Sequence, residues 1–231
     1  MLGKVLLFTG GMIQLPFVES YLKNLEYDAV ICADSGLDAA YALQLPVQYA
    51  LGDFDSVSKE ILAQYQQGQI TGSEKIRFVQ YPTAKDYTDT QMALEWILEQ
   101  GATEITIFGA TGGRLDHFLA TVNVLMKPLK KGVPTYIVDR QNRIRLVNGT
   151  TVLRKKEAFG KYISLQPLSE KVYPLTLQGL EYGLQDYTLC YGDGRAISNE
   201  FATEAEEAVI SFTQGELLVI ESRDDASCME K

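Results

Sequence analysis

The chain has 231 residues, of which 46% are hydrophobic and 22% are charged, a composition typical of an ordinary globular protein. Its net charge of −9 argues against a nucleic-acid or anionic-membrane partner, because both are bound mainly through Lys and Arg. No stretch approaches the roughly 18–20 apolar residues of a membrane helix. Three cysteines at unrelated spacings indicate neither a disulfide framework nor a zinc site. We therefore expect a cytoplasmic protein.

The first 140 residues alternate short apolar runs with segments of helical periodicity. Alternation of this kind predicts an α/β domain, a mainly parallel sheet with helices on both faces. The clearest helix follows Thr88, which forms an N-capping pattern with Gln91 and precedes an apolar face; Gly101 ends it. The predicted strands are 5–8, 29–32, 49–51, 76–79, 105–108 and 135–138, and the predicted helices are 16–26, 36–44, 58–67, 88–100 and 116–130.

From about residue 142 the pattern changes to short strands separated by turns such as Asn148-Gly149, without a convincing helix. This pattern of short strands and turns is typical of a small antiparallel sandwich or barrel, and we predict a sandwich. The expected organisation is an N-terminal α/β domain, residues 1–140, followed by an antiparallel β-sandwich domain, residues 141–231. The predicted strands of the second part are 143–147, 150–153, 162–165, 173–177, 187–190, 208–212 and 217–220.

Aspartates follow several of the predicted strands at their carboxyl ends, where open α/β sheets bind ligands. Any one of them is more often a helix cap or turn residue than a ligand. The pair Asp53 and Asp55 differs, because side chains two apart in an extended segment point the same way. Two carboxylates about 4 Å apart repel by about 4 kcal/mol, which a proton or a bound cation relieves. The aspartates are Asp34, Asp53, Asp55, Asp86, Asp89 and Asp116.

These carboxylates occur without a His or Cys cluster, which favours Mg²⁺ or Mn²⁺ over zinc. The segment Gly-Ala-Thr-Gly-Gly-Arg-Leu-Asp-His at 109–117 then predicts a strand-to-helix turn that binds phosphate, with Arg114 and Lys85 as cations. Neither a P-loop nor a dinucleotide-binding glycine motif is present. His117 is the only histidine, and we interpret it as a helix-start residue in preference to a general base.

Four motifs taken in order resemble the thiamine pyrophosphokinase family. They are Ala-Asp-Ser-Gly at 33–36, Gly-Asp-Phe-Asp-Ser at 52–56, Lys-Asp-Tyr-Thr-Asp at 85–89 and the 109–117 segment. Ser198-Asn199 and the hairpin ending at 215–219 resemble the C-terminal part of that family. The resemblance spans nearly the whole chain, although 141–195 carries no motif that contributes to it.

The resemblance implies an α/β domain followed by a β-sandwich, acting as a homodimer with active sites at the subunit interface. It implies conversion of ATP and thiamine into AMP and thiamine diphosphate with Mg²⁺. The implied catalytic residues are Asp53, Asp55, Asp86 and Asp89, of which Asp53, Asp55 and Asp89 hold the metal. The implied ATP-binding residues are Asp34, Lys85, Thr111, Gly112, Gly113, Arg114, Asp116 and His117, and the implied thiamine-binding residues are Ser198 and Asn199.

The implied reaction is attack of the thiamine hydroxyl on the β-phosphorus of ATP, driven by positioning and charge neutralisation. Either Asp55 or Asp86 could accept the hydroxyl proton, and the sequence does not choose between them. Two alternatives remain open at this stage. One is a magnesium-dependent phosphohydrolase, since clustered aspartates also serve water attack; the other is a nucleotide- or thiamine-binding sensor without turnover.

Overall fold

The computed structural model describes residues 1–80 and 87–225, and these divide into two compact units with the boundary between Arg140 and Gln141. Within residues 1–80 and 87–140, strands and helices alternate as the sequence predicts. The strands are β1 (Gly3–Phe8), β2 (Ala29–Ala33), β3 (Val47–Gly52), β4 (Arg77–Gln80), β5 (Ala102–Phe108) and β6 (Thr135–Val138). The helices are α1 (Leu15–Leu22), α2 (Gly36–Ala42), α3 (Lys59–Gln66), α4 (Asp89–Glu99), α5 (Leu115–Val124) and α6 (Met126–Lys130).

The strands of the first unit form a parallel sheet in the order β4-β3-β2-β1-β5-β6. The chain builds outward from β1 to β4 and then returns to the other side of β1 for β5. Because parallel crossovers are right-handed, this reversal moves the later helices to the opposite face. Accordingly, α2 packs against α3 and α4 packs against α5. The central strand β2 is a continuous apolar run in which every residue is buried, as expected of a sheet covered on both faces.

Helix α4 forms where the capping pattern predicts it. Thr88 accepts a 3.2 Å hydrogen bond from the Gln91 backbone N–H, which satisfies one of the free donors of the first turn. The side chain of Gln91 bonds to Glu95 at 2.9 Å, one turn along the helix. Gly101 follows the helix with φ +77°, a conformation that favours glycine, and the helix ends there.

The predicted helix 116–130 is wrong in one respect, because the structure divides it into α5 and α6 at Leu125. Pro128 explains the break. A proline in a helix lacks the N–H that would bond to the carbonyl four residues earlier, and its ring collides with that carbonyl. The carbonyl belongs to Val124, the last residue of α5.

The second unit contains only short strands and one 3₁₀ turn, Lys155–Glu157, within residues 141–225. One antiparallel sheet has the order β7-β13-β9 and the other β11-β10-β12-β8. Both contribute to one buried cluster, for example Ile163 of β9 and Leu175 of β10. The predicted fold class, an α/β part followed by an antiparallel β-sandwich, is confirmed. The strands are β7 (Asn142–Val147), β8 (Thr151–Arg154), β9 (Tyr162–Pro167), β10 (Lys171–Gln178), β11 (Leu184–Cys190), β12 (Glu207–Ser211) and β13 (Leu217–Ser222).

Candidate active site

A cleft of about 370 Å³ lies at the carboxyl ends of the central parallel strands. The loops after β1, β2 and β5 line it, and β1 stands between β2 and β5 in the sheet. The strand order reverses between β1 and β5, and such a switch point is where open α/β sheets bind ligands. The lining residues are Thr9, Gly10, Gly11, Ala33, Asp34, Ser35, Ser56, Thr88, Asp89, Thr90, Gly109, Ala110, Thr111, Gly113, Arg114, His117 and Thr121.

The loops after β1 and β5 meet at this cleft and contribute several glycines to its lining. Thr9 donates from both its N–H (2.9 Å) and its hydroxyl (3.1 Å) to the Phe108 carbonyl, so the two loops are joined at their start. A Cβ on Gly11 would collide with the Gly109 carbonyl oxygen. The absence of side chains here therefore lets the loops meet and leaves room above them for a ligand.

Asp34 organises the neighbouring loops at the ends of β2 and β3. It is 9% exposed, has φ +44°, and its N–H donates to the Leu51 carbonyl at 3.0 Å. Its carboxylate accepts the Phe54 N–H at 3.3 Å and occupies the place where a Cβ on Gly52 would be. The 52–56 segment is thus held against the end of β2 by one buried carboxylate.

The segment that carries Asp53 and Asp55 is not extended, which was the condition for their side chains to point the same way. Phe54, between them, has φ +62°, which turns the chain at that point. The Asp55 N–H donates to the Asp53 carboxylate at 3.2 Å, a local hydrogen bond of the kind that aspartate forms in turns. Neither carboxylate lines the cleft, whereas Ser56, the next residue, does.

The N-terminal ends of α4 and α5 both reach the cleft, through Thr88–Thr90 and through Arg114 and His117. The first turns of helices carry free backbone N–H groups and the positive end of the helix dipole. Two such ends beside one cleft favour an anionic ligand, and phosphate groups are the common case.

Arg114 and Asp116 form a two-point ion pair at the start of α5, with Nε–Oδ1 and Nη–Oδ2 distances of 3.1 and 2.6 Å. The Arg114 guanidinium lowers the pKa of the Asp116 carboxyl, and the His117 N–H, 2.9 Å from Oδ1, adds to this effect. Both side chains are mostly exposed, so the pair orients Arg114 more than it stabilises the fold. The pair uses two of the five guanidinium N–H groups, and the described residues leave three that a phosphate can bind.

The donor atoms of the cleft fit a hard cation such as Mg²⁺. Asp34 and Asp89 supply carboxylates, and hydroxyl residues such as Ser56 and Thr88 surround them. Among residues 1–80 and 87–225, no three His, Cys, Asp or Glu side chains group closely enough to hold a metal together. Nucleotide enzymes hold Mg²⁺ by one or two carboxylates plus phosphate oxygens and water, so such a site requires no complete protein cage.

The two predicted thiamine-binding residues lie in the second unit, between β11 and β12. Ser198 is exposed and has φ +56°, and its N–H donates to the Ser164 hydroxyl at 2.9 Å. Asn199 is 3% exposed and bonds through its side chain to the backbone of Tyr182, with Nδ2–O and Oδ1–N distances of 2.8 and 3.0 Å. The side chain of Tyr182 is itself 66% exposed.

The cleft thus brings together part of the predicted set: Asp34, Asp89, Thr111, Gly113, Arg114 and His117. Four described residues of the first unit, Asp53, Asp55, Gly112 and Asp116, do not line the cleft, although the last three are next to lining residues in sequence. Lys85 and Asp86 lie outside the described residues. Sequence reasoning missed Thr9–Gly11 and Thr121, although a Thr-Gly-Gly turn directly after the first strand was a signal for the former.

Comparisons with known proteins identify the family. Residues 19–137 match the family model of the thiamin pyrophosphokinase catalytic domain, and residues 150–217 match that of the thiamin pyrophosphokinase vitamin B1 binding domain. Thiamine pyrophosphokinase of Bacillus subtilis (strain 168) is 36% identical over 180 residues, which cover 78% of this chain and 80% of that protein.

Solved structures are similar over nearly the whole chain. The crystal structure of thiamine pyrophosphokinase from Bacillus subtilis has a TM-score of 0.83 and 30% identity, covering 96% of this chain and all of that one. A thiamin pyrophosphokinase family protein from Enterococcus faecalis has a TM-score of 0.78 and 34% identity at the same coverage. Sequence models, an aligned relative and similar folds therefore agree: the chain belongs to the thiamine pyrophosphokinase family.

Proposed function

We propose that this chain transfers a pyrophosphoryl group from ATP to thiamine, giving AMP and thiamine diphosphate. The observation that carries the proposal is the cleft at the switch point of the sheet, where Asp34, Asp89 and the N-terminal ends of α4 and α5 meet. In a member of this family, an anion-binding cleft of this kind suits a nucleoside triphosphate. The chain's net charge of −9 suits the cationic thiazolium of thiamine.

In the proposed reaction the thiamine hydroxyl oxygen bonds to the β-phosphorus of ATP while the bond to the α–β bridging oxygen breaks. AMP leaves, and the carboxylate of Asp55 or of Asp86 accepts the hydroxyl proton. The first-turn N–H groups of α4 and α5 and the free N–H groups of Arg114 bind phosphate oxygens. These contacts hold the triphosphate in line with the incoming hydroxyl, and positioning supplies much of the rate.

A bound Mg²⁺ would supply charge neutralisation at the transferred phosphates. We propose Asp53, Asp55 and Asp89 as the residues that hold it, with Asp86 beside them. Phe54, between Asp53 and Asp55, has φ +62°, and the Asp53 carboxylate accepts the Asp55 N–H at 3.2 Å, so both aspartates belong to one tight turn. Asp34 supports it indirectly, through its hydrogen bond to the Phe54 N–H.

We propose that thiamine binds on the second unit at Ser198 and the exposed ring of Tyr182. A hydroxyl and an exposed aromatic ring suit a ligand that carries an aminopyrimidine and a cationic ring. The proposed active form is a cytoplasmic homodimer in which this surface faces the ATP cleft of the other subunit. The exposed leucines of α5, Leu115 and Leu119, at 74% and 58% exposure, support an apolar contact between copies.

The deciding experiment incubates the protein with ATP, Mg²⁺ and thiamine and follows AMP and thiamine diphosphate by chromatography. The expected result is equal formation of both products, dependent on thiamine. Nucleotide hydrolysis at the same rate without thiamine would instead support a phosphohydrolase. Binding of thiamine and ATP without any product would support a sensor.

A variant pair tests whether the carboxylates act as proposed. Asp89→Asn keeps the size of a side chain that lines the cleft and removes its charge, and we expect turnover to fall at least about 100-fold. Glu99→Gln, at the exposed end of the same helix, makes the same chemical change away from the cleft and serves as the control. Equal turnover of the two folded variants would show that Asp89 is not part of the site.

A further inference from the structure

Asn199 differs from an ordinary ligand-contacting residue in how completely it is buried and paired. It is 3% exposed, although its neighbour Ser198 is exposed. Its main chain exchanges hydrogen bonds with Ile163 of β9, at 2.9 Å for the Asn199 N–H and 2.7 Å for the Asn199 carbonyl. The residue therefore belongs to the structure of the sandwich before any ligand arrives.

The side-chain amide of Asn199 forms hydrogen bonds with backbone N–H and carbonyl groups, as a peptide group does. Nδ2 donates to the Tyr182 carbonyl at 2.8 Å, while Oδ1 accepts from the N–H groups of Tyr182 and Glu200, each at 3.0 Å. These contacts also settle the orientation of the amide, because a reversed amide would place its NH₂ against two N–H donors. A side-chain amide can accept two hydrogen bonds at its oxygen and donate two from its nitrogen. Asn199 uses three of these four positions, including both at the oxygen.

The hydrogen bonds of Asn199 hold the two residues that carry the proposed thiamine surface. Tyr182 is fixed at both its N–H and its carbonyl, while its ring stays 66% exposed. Ser198 is fixed on one side by the Asn199–Ile163 pairing and on the other by its own N–H bond to the Ser164 hydroxyl. This double attachment keeps Ser198 at φ +56°, a conformation that costs a serine energy unless its surroundings enforce it.

We propose that Asn199 is a positioning residue and not a thiamine contact: it holds the backbone of Tyr182 and the left-handed turn at Ser198, and acts on the substrate only through them. The inference rests on the proposed function and revises the expectation that Asn199 itself binds thiamine. It follows from two observations: Asn199 is buried, and its side-chain oxygen and one of its two amide hydrogens are already hydrogen-bonded. Only the second amide hydrogen remains for a ligand. The corresponding role for Ser164 is to anchor the Ser198 N–H.

A double-mutant comparison separates positioning from contact. Asn199→Ala is made in the wild-type chain and in a Tyr182→Ala/Ser198→Ala background, and the thiamine Kd is measured by calorimetry alongside KM for thiamine and ATP. Loss of two to three hydrogen bonds to the loop should weaken thiamine binding about tenfold or more in the wild-type chain. In the background without the two surface residues, the same change should alter the Kd less than about twofold, because nothing remains to be positioned. KM for ATP should change less than about twofold.

An equal weakening by Asn199→Ala in both backgrounds would overturn the proposal, because a direct contact does not depend on Tyr182 and Ser198. If Asn199→Ala does not fold, Ser164→Ala replaces it: it removes the acceptor of the Ser198 N–H without touching Asn199. Its expected effect is a several-fold rise in thiamine Kd that disappears in the Ser198→Ala background, and a rise that persists there would overturn the positioning role. A wild-type protein that binds no thiamine would instead refute the proposed function.

Discussion

The substitution Gly52→Ala tests how the loop that carries Asp53 and Asp55 is held. Gly52 ends β3 with φ +142°, a backbone conformation that residues with a side chain rarely adopt. The carboxylate of Asp34 lies where the new Cβ would be. An alanine therefore strains the backbone and displaces Asp34 from the Phe54 N–H, to which it is hydrogen-bonded at 3.3 Å.

The expected cost follows from these two effects. Backbone strain of this type is worth about 1–3 kcal/mol. A hydrogen bond to a charged group contributes about 1.5–3 kcal/mol, and moving the buried Asp34 carboxylate forfeits it. A combined loss of about 4 kcal/mol would leave a typical domain folded while lowering Tm by about 8–16 °C for a chain of this size. Because the loop moves with Asp34, pyrophosphoryl transfer should fall further than stability alone explains.

Gly113→Ala is the matched control in another loop of the same cleft. Gly113 does not have a positive φ. Among the described residues other than its chain neighbours, no heavy atom lies within 4 Å of a Cβ built there. Alanine at such a position leaves the folded state unstrained and reduces the freedom of the unfolded chain, so stability should hold or rise by up to about 1 kcal/mol.

The assay for both variants is thermal unfolding followed by circular dichroism, together with thiamine diphosphate formation at saturating ATP. Gly52→Ala should melt well below wild type and Gly113→Ala at or above it. Similar melting temperatures for wild type and Gly52→Ala would refute the reasoning, because they would mean that neither the φ of Gly52 nor the Asp34 carboxylate restrains the loop.

Four further predictions concern stability and assembly. Tyr65→Phe should stabilise the protein by about 1 kcal/mol, measured by urea unfolding, because the buried Tyr65 hydroxyl has no hydrogen-bond partner among the described residues. Burial raises the pKa of both the Tyr65 phenol and the Cys32 thiol. The folded state therefore holds these two protons more tightly than the unfolded state does. The free energy of unfolding of the wild-type protein should then fall as the pH rises above about 9, because only the unfolded state loses the protons there. Glu221→Gln should cost about 2–4 kcal/mol, because Glu221 is 3% exposed and pairs through both oxygens with Arg143, at 3.1 and 2.6 Å. Leu119→Glu should convert the proposed dimer to a monomer in light scattering, and an unchanged mass would exclude α5 from the contact.

Much of the fold could be predicted because its signals are local. The capping pattern at Thr88 and the glycine at 101 bound α4 without reference to any other element. The apolar runs of the first unit became buried strands because both faces of a parallel sheet are covered. The division of the predicted helix at Leu125 was also readable, since Pro128 stands four residues after Val124.

The site was less predictable because its geometry depends on contacts between distant segments. Asp34, twenty residues earlier in the chain, accepts the N–H of Phe54 at the turn. No pattern within residues 52–56 indicates that hydrogen bond. Thr9 and Gly11 reach the cleft because β1 lies beside β5, a neighbour nearly 100 residues away. The side chain of Asn199 pairs with the backbone of Tyr182, seventeen residues earlier, and the Ser-Asn motif does not indicate that pairing.

By itself the sequence determined which segments are helices and which are strands, and it showed the change from an α/β pattern to short strands near residue 140. It also contained the acidic motifs and, through those motifs, indicated the family. Only the tertiary structure decided the strand order, and with it which loops share the cleft, because the order of a parallel sheet depends on long-range packing that short-range patterns do not encode. It also decided which polar residues are exposed and which are saturated. An Asp or Asn looks the same in sequence whether its oxygens face a ligand or a backbone N–H, and Asp34 and Asn199 each accept a backbone N–H through Oδ1.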